Sequence, residues 1–166
     1  MPIIGQRMRI TEPCESHIFE FVKPSKSFKE ENEWAHHVSI AQISSLGKAE
    51  ERLFGTTTKK VLLAIDKDEL VGYAGVNGYV DGEEEKYEFS ILISKRYRGK
   101  GLARLLTDKL FKELEKGRKV YAFVADFNEP SLRAVPRLGF RELNSFLEKE
   151  FFNGVEAIVH VFVRES

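Results

Sequence analysis

The sequence predicts a mixed α+β layer architecture on three observations: short runs of strand formers between residues 61 and 94, an apolar repeat at helical spacing from Leu102, and a strand, helix and strand pair after it. Its 166 residues fit a single domain (1–166) able to bury a core without disulfide or metal. No repeat, low-complexity tract or Gly/Ser/Pro-rich linker divides it.

Ile18 to Val22 is rich in strand formers and stops at Lys23-Pro24; Ser25 to Gln42 carries helix formers, and Lys48 to Phe54 reads as a second helix stopped by Gly55 and the run Thr56 to Thr58. Val61 to Ile65, a polar turn at Asp66 to Glu69, and Leu70 to Val76 then read as an antiparallel hairpin. Gly72, Gly75 and Gly78 mark bends in a strand rather than a phosphate loop. After a solvated turn at Asp81 to Glu85, Tyr87 to Ser94 forms the next strand. Leu102, Leu105, Leu106, Leu110 and Leu114 predict an amphipathic helix of about four turns with Gly117 at its C-cap. Val120 to Ala125 is a buried-type strand. Asn128 opens a short helix that Pro130 enters in its first turn, and Pro136 is expected to bend it. Phe140 to Phe152 and Val155 to Val163 close the fold as an antiparallel pair around Asn153-Gly154.

Composition narrows the function classes. Hydrophobic residues make up 42% and charged residues 31%, and no apolar run approaches a bilayer span, so a globular, cytoplasmic protein is expected, with no membrane partner and no signal peptide at Met1 to Ile10. Acidic and basic residues balance at 26 each, which argues against a nucleic-acid partner and makes any anion site local. Cys14, the only cysteine, excludes an internal disulfide and a Cys-based zinc site, and no helix start stands near it to activate the thiol. His36 and His37 are adjacent on the expected helix, about 100° apart, and cannot share a metal there; no metal site is expected. Trp34, Phe28 and Phe54 read as core, with a small-molecule pocket lining as the competing reading. Glutamine occurs only at Gln6 and Gln42 amid abundant Lys, Arg and Glu, a thermophilic pattern.

The segment that carries chemistry is Lys95 to Arg104, KRYRGKGLAR, between a strand and the amphipathic helix. Gly99 and Gly101 permit close backbone approach, and the helix start after them offers unpaired N–H groups and a positive dipole end. Lys95, Arg96, Arg98, Lys100 and Arg104 surround this cradle with cations, so phosphate is the natural guest. A dinucleotide fingerprint needs a third glycine where Arg104 stands, and a Walker loop needs Ser or Thr where Gly101 stands. An ordinary basic strand-to-helix turn is the competing reading.

Arg96-Tyr-Arg-Gly-Lys-Gly101 resembles the Gln/Arg-x-x-Gly-x-Gly/Ala signature of the GNAT superfamily of N-acyltransferases, and Asn128 to Phe140 (NEPSLRAVPRLGF) resembles that family's Asn-x-x-Ala/Ser helix ending in Gly-Phe. The two lie in the family's order and distance; the stretch before Gly55 matches poorly. Within the superfamily, Glu88 to Ile93 and Asn128 to Pro130 are most similar to protein-lysine acetyltransferases of the Pat type. The resemblance implies a mixed, mostly antiparallel sheet of six to seven strands flanked by helices, its fourth strand (Tyr87 to Ser94) and fifth (Val120 to Ala125) splayed to admit acetyl-CoA. It implies that Arg96, Arg98, Gly99, Lys100, Gly101, Leu102 and Ala103 hold the pyrophosphate, that the Leu92 and Ile93 backbones pair with pantetheine or the acetyl carbonyl, and that Asn128 and Ser131 lie along the pantetheine arm.

A lysine-type amine, pKa about 10.4, is ammonium at pH 7, and exposing its lone pair costs about 4 to 5 kcal/mol. By the resemblance Glu88 is the general base that helps, with Glu85 in reserve; the competing reading of Glu88 is an ordinary strand glutamate. The tyrosine that often protonates the departing thiolate, seven residues after the asparagine, is replaced by Val135. Arg133 and Arg137 read as a solvated helix face, with a reach to the CoA phosphates as the competing reading. The activity implied is acetyl transfer from acetyl-CoA to a primary amine, protein lysine first and a polyamine, amino acid or drug second, by a monomer or homodimer; a non-catalytic acyl-CoA-binding module is the rival.

Overall fold

The apolar runs at the centre of the chain become the centre of one sheet. The structure is a computed structural model, and it describes residues 8–11, 23–24, 58–67, 69–152 and 155–166. Cys14, Phe28, Trp34, His36, His37 and Phe54, the strand expected at 18–22, the helices expected at 25–42 and 48–54, and the Asn153-Gly154 dipeptide lie outside the described residues.

In chain order the strands are β1 (Met8–Thr11), β2 (Lys23–Pro24), β3 (Thr58–Asp66), β4 (Glu69–Asp81), β5 (Glu84–Ile93), β6 (Lys119–Ala125), β7 (Arg141–Phe152) and β8 (Val155–Glu165). Helix α1 (Leu102–Glu113) joins β5 to β6, and α2 (Glu129–Arg137) joins β6 to β7. The sheet order is β1-β3-β4-β5-β6-β8-β7, with β2 paired to β4 off this path. Along that order every neighbour is antiparallel except β5 and β6. That one parallel pair requires a crossover, and α1 supplies it. The mixed, mostly antiparallel sheet is as expected; the strands anticipated as fourth and fifth are β5 and β6, because both β1 and β2 precede β3.

The hairpin from β4 to β5 is longer than its apolar pattern suggested. β4 runs on through Asn77 to Asp81, and β5 starts at Glu84, so the acidic turn shrinks to Gly82 and Glu83. Gly82 takes φ +67°, the conformation a two-residue hairpin demands of its first turn residue. Gly72 sits where the β3–β4 register shifts, and a Cβ there would stand 2.9 Å from Ile93 Cδ1 and 3.2 Å from Leu92 O. This glycine lets β4 and the end of β5 approach closely.

One face of the sheet is covered by α1 and α2. Leu102, Leu106 and Leu110 bury completely, with Phe111, against Phe89, Val120, Ala122 and Val124. At about 25 cal/mol per Å² of apolar area, each such leucine contributes about 1.5–3 kcal/mol. Two expectations for α1 are corrected. Leu105 points outward (39% exposed), off the buried i, i+4 row. The helix stops at Glu113, about three turns long; Leu114 turns extended (φ −81°, ψ 152°) yet stays buried, and Gly117 takes its φ of +82° in the following turn instead of at the C-cap.

α2 opens as expected. The Asn128 side chain accepts from the Ser131 N–H at 3.4 Å, and Pro130 lies in the first turn, where no backbone donor is missed. Pro136 falls one residue before the helix ends, and Val135 buries its side chain in the core.

Candidate functional site

Backbone register alone opens a gap in the sheet. β5 and β6 pair only at Tyr87↔Val120 and Glu88↔Tyr121, while β5 stays paired to β4 as far as Ile93 and β6 to β8 as far as Ala125. Beyond Glu88 the two parallel strands therefore diverge towards their carboxyl ends. In α/β sheets the crevice outside the carboxyl ends of parallel strands is where ligands bind.

Strand alternation decides which backbone groups face this gap. The Ser94 N–H donates to Val71 O at 2.8 Å, which continues the β4–β5 register by one pair and makes every second β5 residue from 94 back to 84 the one bonded to β4. Leu92 is thus bonded towards β4, across from Tyr73, and its backbone is not available to a ligand in the gap. Ile91 and Ile93 turn their N–H and C=O groups the other way. Ile93 faces the gap as expected; the Leu92 backbone does not, and that of Ile91 does.

Both motifs meet at the open end. After β5, a 3-10 turn (Lys95–Tyr97) leads to Gly99 (φ +71°) and Gly101 (φ +88°), the N-cap of α1. A Cβ on either would meet nothing within 4 Å, so glycine is required by backbone conformation, not by space. α1 has no side-chain cap and no acidic residue in its first turn, which leaves the N–H groups of Leu102, Ala103 and Arg104 without intrahelical partners. Tyr97 anchors the turn: its hydroxyl donates to Asp66 at the end of β3, and burial, then that carboxylate, push it up to about 12. Across the gap, the Asn128 N–H donates to Ala125 O at 2.9 Å, seating α2 on the end of β6.

The five cations divide. Lys95, Arg96, Arg98 and Lys100 are exposed beside the cradle; Arg98 Nε donates to Ile93 O at 2.9 Å, and Arg96 stands 5.6 Å from the Tyr97 ring. Arg104 is not at the cradle. It donates to Asp108 at 2.9 Å and to Arg137 O at 2.7 Å, while Arg164 donates to the same Asp108 at 3.2 Å and to Leu138 O at 2.7 Å. Two guanidiniums around one carboxylate thus cap the carbonyl end of α2 and tie it to α1 and β8. Arg133 pairs with Glu129 at 3.8 Å on the solvated face. Burial pushes Asp108 upward, but Arg104 and Arg164 outweigh it and hold its carboxyl below the ordinary range. That stability is present at neutral pH and lost as pH falls through the folded-state range. Asp108→Ala is expected to cost about 1 kcal/mol at pH 7. In denaturant titrations the difference from wild type should shrink towards pH 3.

Glu88 occupies the last paired position before the gap, half-buried, on the sheet face opposite α1. Among the described residues its carboxylate has no hydrogen bond or ion pair, and burial pushes its pKa up. Glu85 is different: Lys59 binds it at 2.7 Å and lowers it, so it is a paired carboxylate with its side chain on the other face. A cavity of about 200 Å³ lined by Glu84, Lys86, Tyr87, Arg118 and Tyr121 lies at the closed end of the β5–β6 pair, away from both motifs. Sequence reasoning passed over Asn77, Tyr79, Tyr121 and Phe123, which join the Glu88 face only through strand register.

Comparison with known proteins follows this geometry. No curated protein matches the chain. Among solved structures, Arabidopsis thaliana NAA60 in complex with acetyl-CoA is similar with a TM-score of 0.66 at 16% identity, covering 95% of this chain and 98% of that one. A phosphinothricin acetyltransferase from Sinorhizobium meliloti in complex with AcCoA gives 0.65 at 16% identity, covering 96% and 89%. A spermidine N-acetyltransferase SpeG chimera from Vibrio cholerae and hSSAT gives 0.64 at 20%, covering 96% of each. At these identities the likeness is one of fold. A family model described as Acetyltransferase (GNAT) family matches residues 15–140, which is most of the chain and includes the splayed strands and both motifs; the chain belongs to the acetyltransferase (GNAT) family.

Proposed function

We propose that this acetyltransferase moves the acetyl group of acetyl-CoA directly to a primary amine, with Glu88 as general base. The observation that carries the reading is the position of Glu88: a half-buried carboxylate, unpaired among the described residues, with a raised pKa at the point where β5 and β6 part. A base whose pKa lies nearer neutrality takes a proton from an ammonium more effectively.

In this reading the pyrophosphate rests on the N–H groups of Gly101, Leu102, Ala103 and Arg104, with Arg96, Arg98 and Lys100 supplying charge from the rim. Ser131 and the Asn128 amide lie along the pantetheine arm, and the gap-facing backbone of Ile91 and Ile93 pairs with its amides. The ammonium gives one proton to Glu88 and the freed amine attacks the thioester carbonyl carbon; a gap-facing N–H of β5 stabilises the oxyanion, the C–S bond breaks to release CoA thiolate, and the second proton leaves the nitrogen for the thiolate or water, giving the neutral amide. Val135 is buried in the core, so no side chain at that position protonates the sulfur. Thiols ionise near 8.5, so thiolate departure at pH 7 costs only about 2 kcal/mol.

Protein lysine is the first acceptor class, on the Pat-type resemblance, with a polyamine, amino acid or drug as the second. The buried Val135 also favours a second reading, a module that binds acyl-CoA without turnover. Thiol release from acetyl-CoA with a panel of polyamines, amino acids and lysine peptides, with product masses, separates them. Equal amounts of thiol and acetylated amine support transfer; tight CoA binding with no thiol release against any amine supports the second reading.

A further inference from the structure

The face of the sheet that carries Glu88 holds a second group in the same condition. Asn77 stands directly opposite Glu88 in the β4–β5 ladder, and the pair belongs to the hydrogen-bonded set, with Cα atoms about 5.5 Å apart. Side chains of directly opposed residues share a face, so the Asn77 amide and the Glu88 carboxyl are neighbours. Among the described residues, Asn77 Oδ1 is buried and has no hydrogen-bond partner. A buried acceptor left unpaired is unusual in a folded protein and calls for a donor.

Aromatic rings close around the same spot. Tyr121 on β6 is opposite Glu88 on its other side. Tyr79 of β4 and Phe123 of β6 share the face, and their rings meet edge to face with centroids 6.1 Å apart, reaching across β5. This wall already attracts a cation: Lys86 Nζ stands 5.4 Å from the Tyr121 ring. That lysine is committed elsewhere, to Asp81 at 2.7 Å, and does not neutralise Glu88. Two acceptors and aromatic faces match the donors and charge of an alkylammonium group.

We infer that Asn77 Oδ1 and the Glu88 carboxylate together seat the acceptor's primary ammonium group, within a wall formed by Tyr79, Tyr121 and Phe123. Glu88 takes one proton; a hydrogen that remains on the nitrogen donates to Asn77 Oδ1 and turns the lone pair towards the thioester. Asn77 is thus a positioning residue. This inference rests on the proposed transfer to an amine.

The test uses the full chain with spermidine and with an Nα-blocked lysine amide as probes, comparing wild type, Asn77→Ala and the isosteric Asn77→Asp. For Asn77→Ala, kcat/KM for the better probe should fall about tenfold, mostly through KM, with the acetyl-CoA Kd and Tm near wild type. A ¹³C-NMR titration of Glu88 in the ligand-free protein gives a readout that packing alone would not move. Its midpoint should drop in Asn77→Ala, which removes the negative end of an amide dipole, and rise in Asn77→Asp, which adds a second carboxyl. Tyr73, Tyr79, Asp81, Lys86, Lys119 and Tyr121, other titratable side chains on or beside this face among the described residues, are the same residues in wild type and both variants. An unaltered KM and an unmoved Glu88 midpoint, with wild type active, would overturn this inference alone. Wild type that acetylates no amine would overturn the transfer reading and this inference with it.

Discussion

Glu88→Gln is expected to lower kcat by about 100- to 10,000-fold, the range for losing a general base, while changing the acetyl-CoA Kd by no more than about twofold. Glutamine keeps the side chain's size and leaves the glycine cradle untouched, so binding and chemistry separate. The same substitution has an opposite effect on stability. Glu88 is raised by burial, so the folded state holds its proton more tightly than the unfolded chain does. Its favourable share is complete below the unfolded pKa and is lost as pH rises through the folded one, after which a desolvated charge remains. Gln carries no such charge. The variant should therefore melt higher than wild type at pH 8 and lose that advantage near pH 4, which thermal melts at the two pH values would check. A variant that is inactive and less stable at both values would mean that Glu88 serves packing.

The second large effect is expected at the cradle. Gly101 has φ +88° at the N-cap of α1, where an L side chain is strained by roughly 1–2 kcal/mol even in open space. In Gly101→Val the β-branched side chain either keeps that strain or rotates the backbone, and rotation turns the N–H groups away from the pyrophosphate. The acetyl-CoA Kd should rise about 10- to 30-fold, the equivalent of about 1.4–2 kcal/mol, measured by calorimetry. Gly99→Ala, at φ +71°, should act in the same direction and less strongly. Unchanged affinity in both variants would leave the loop as an ordinary basic turn.

What the sequence made legible was local. Gly99, Gly101 and the start of α1 are contiguous, so their glycine pattern and helix signal appear together; the Asn128 cap and Pro130 are equally local. Glu88 was placed by resemblance, and the register gives its position a physical reason. Features set by pairing were not legible. β1 has one strongly apolar residue, Ile10, in four, too little alternation to stand out before β3 is known to pair with it. The apolar run of β4 ends at Val76, yet ten consecutive pairs with β5 carry the strand on through Asn77 and Gly78 to Asp81. The backbone direction of Leu92 depends on which strand edge meets β6, which hydropathy does not encode. Arg104 looked like part of the phosphate cradle, but its partners, Asp108 and a carbonyl 33 residues away, pull it elsewhere. Asn77, Tyr79 and Phe123 are an unremarkable amide and two aromatics until the ladder sets them beside Glu88.

The pH dependence of kcat/KM for the amine, measured with saturating acetyl-CoA on wild type and Glu88→Gln, tests the central claim most directly, because it reports Glu88 before the ammonium arrives beside it. Wild type should show an acid limb whose inflection lies above the ordinary glutamate range, where Glu88 loses its proton and begins to act as base. Glu88→Gln should lack that limb and keep only the rise that follows ionisation of the amine itself. An acid limb that persists unchanged in Glu88→Gln would contradict the account, because the proton would then be leaving through another group.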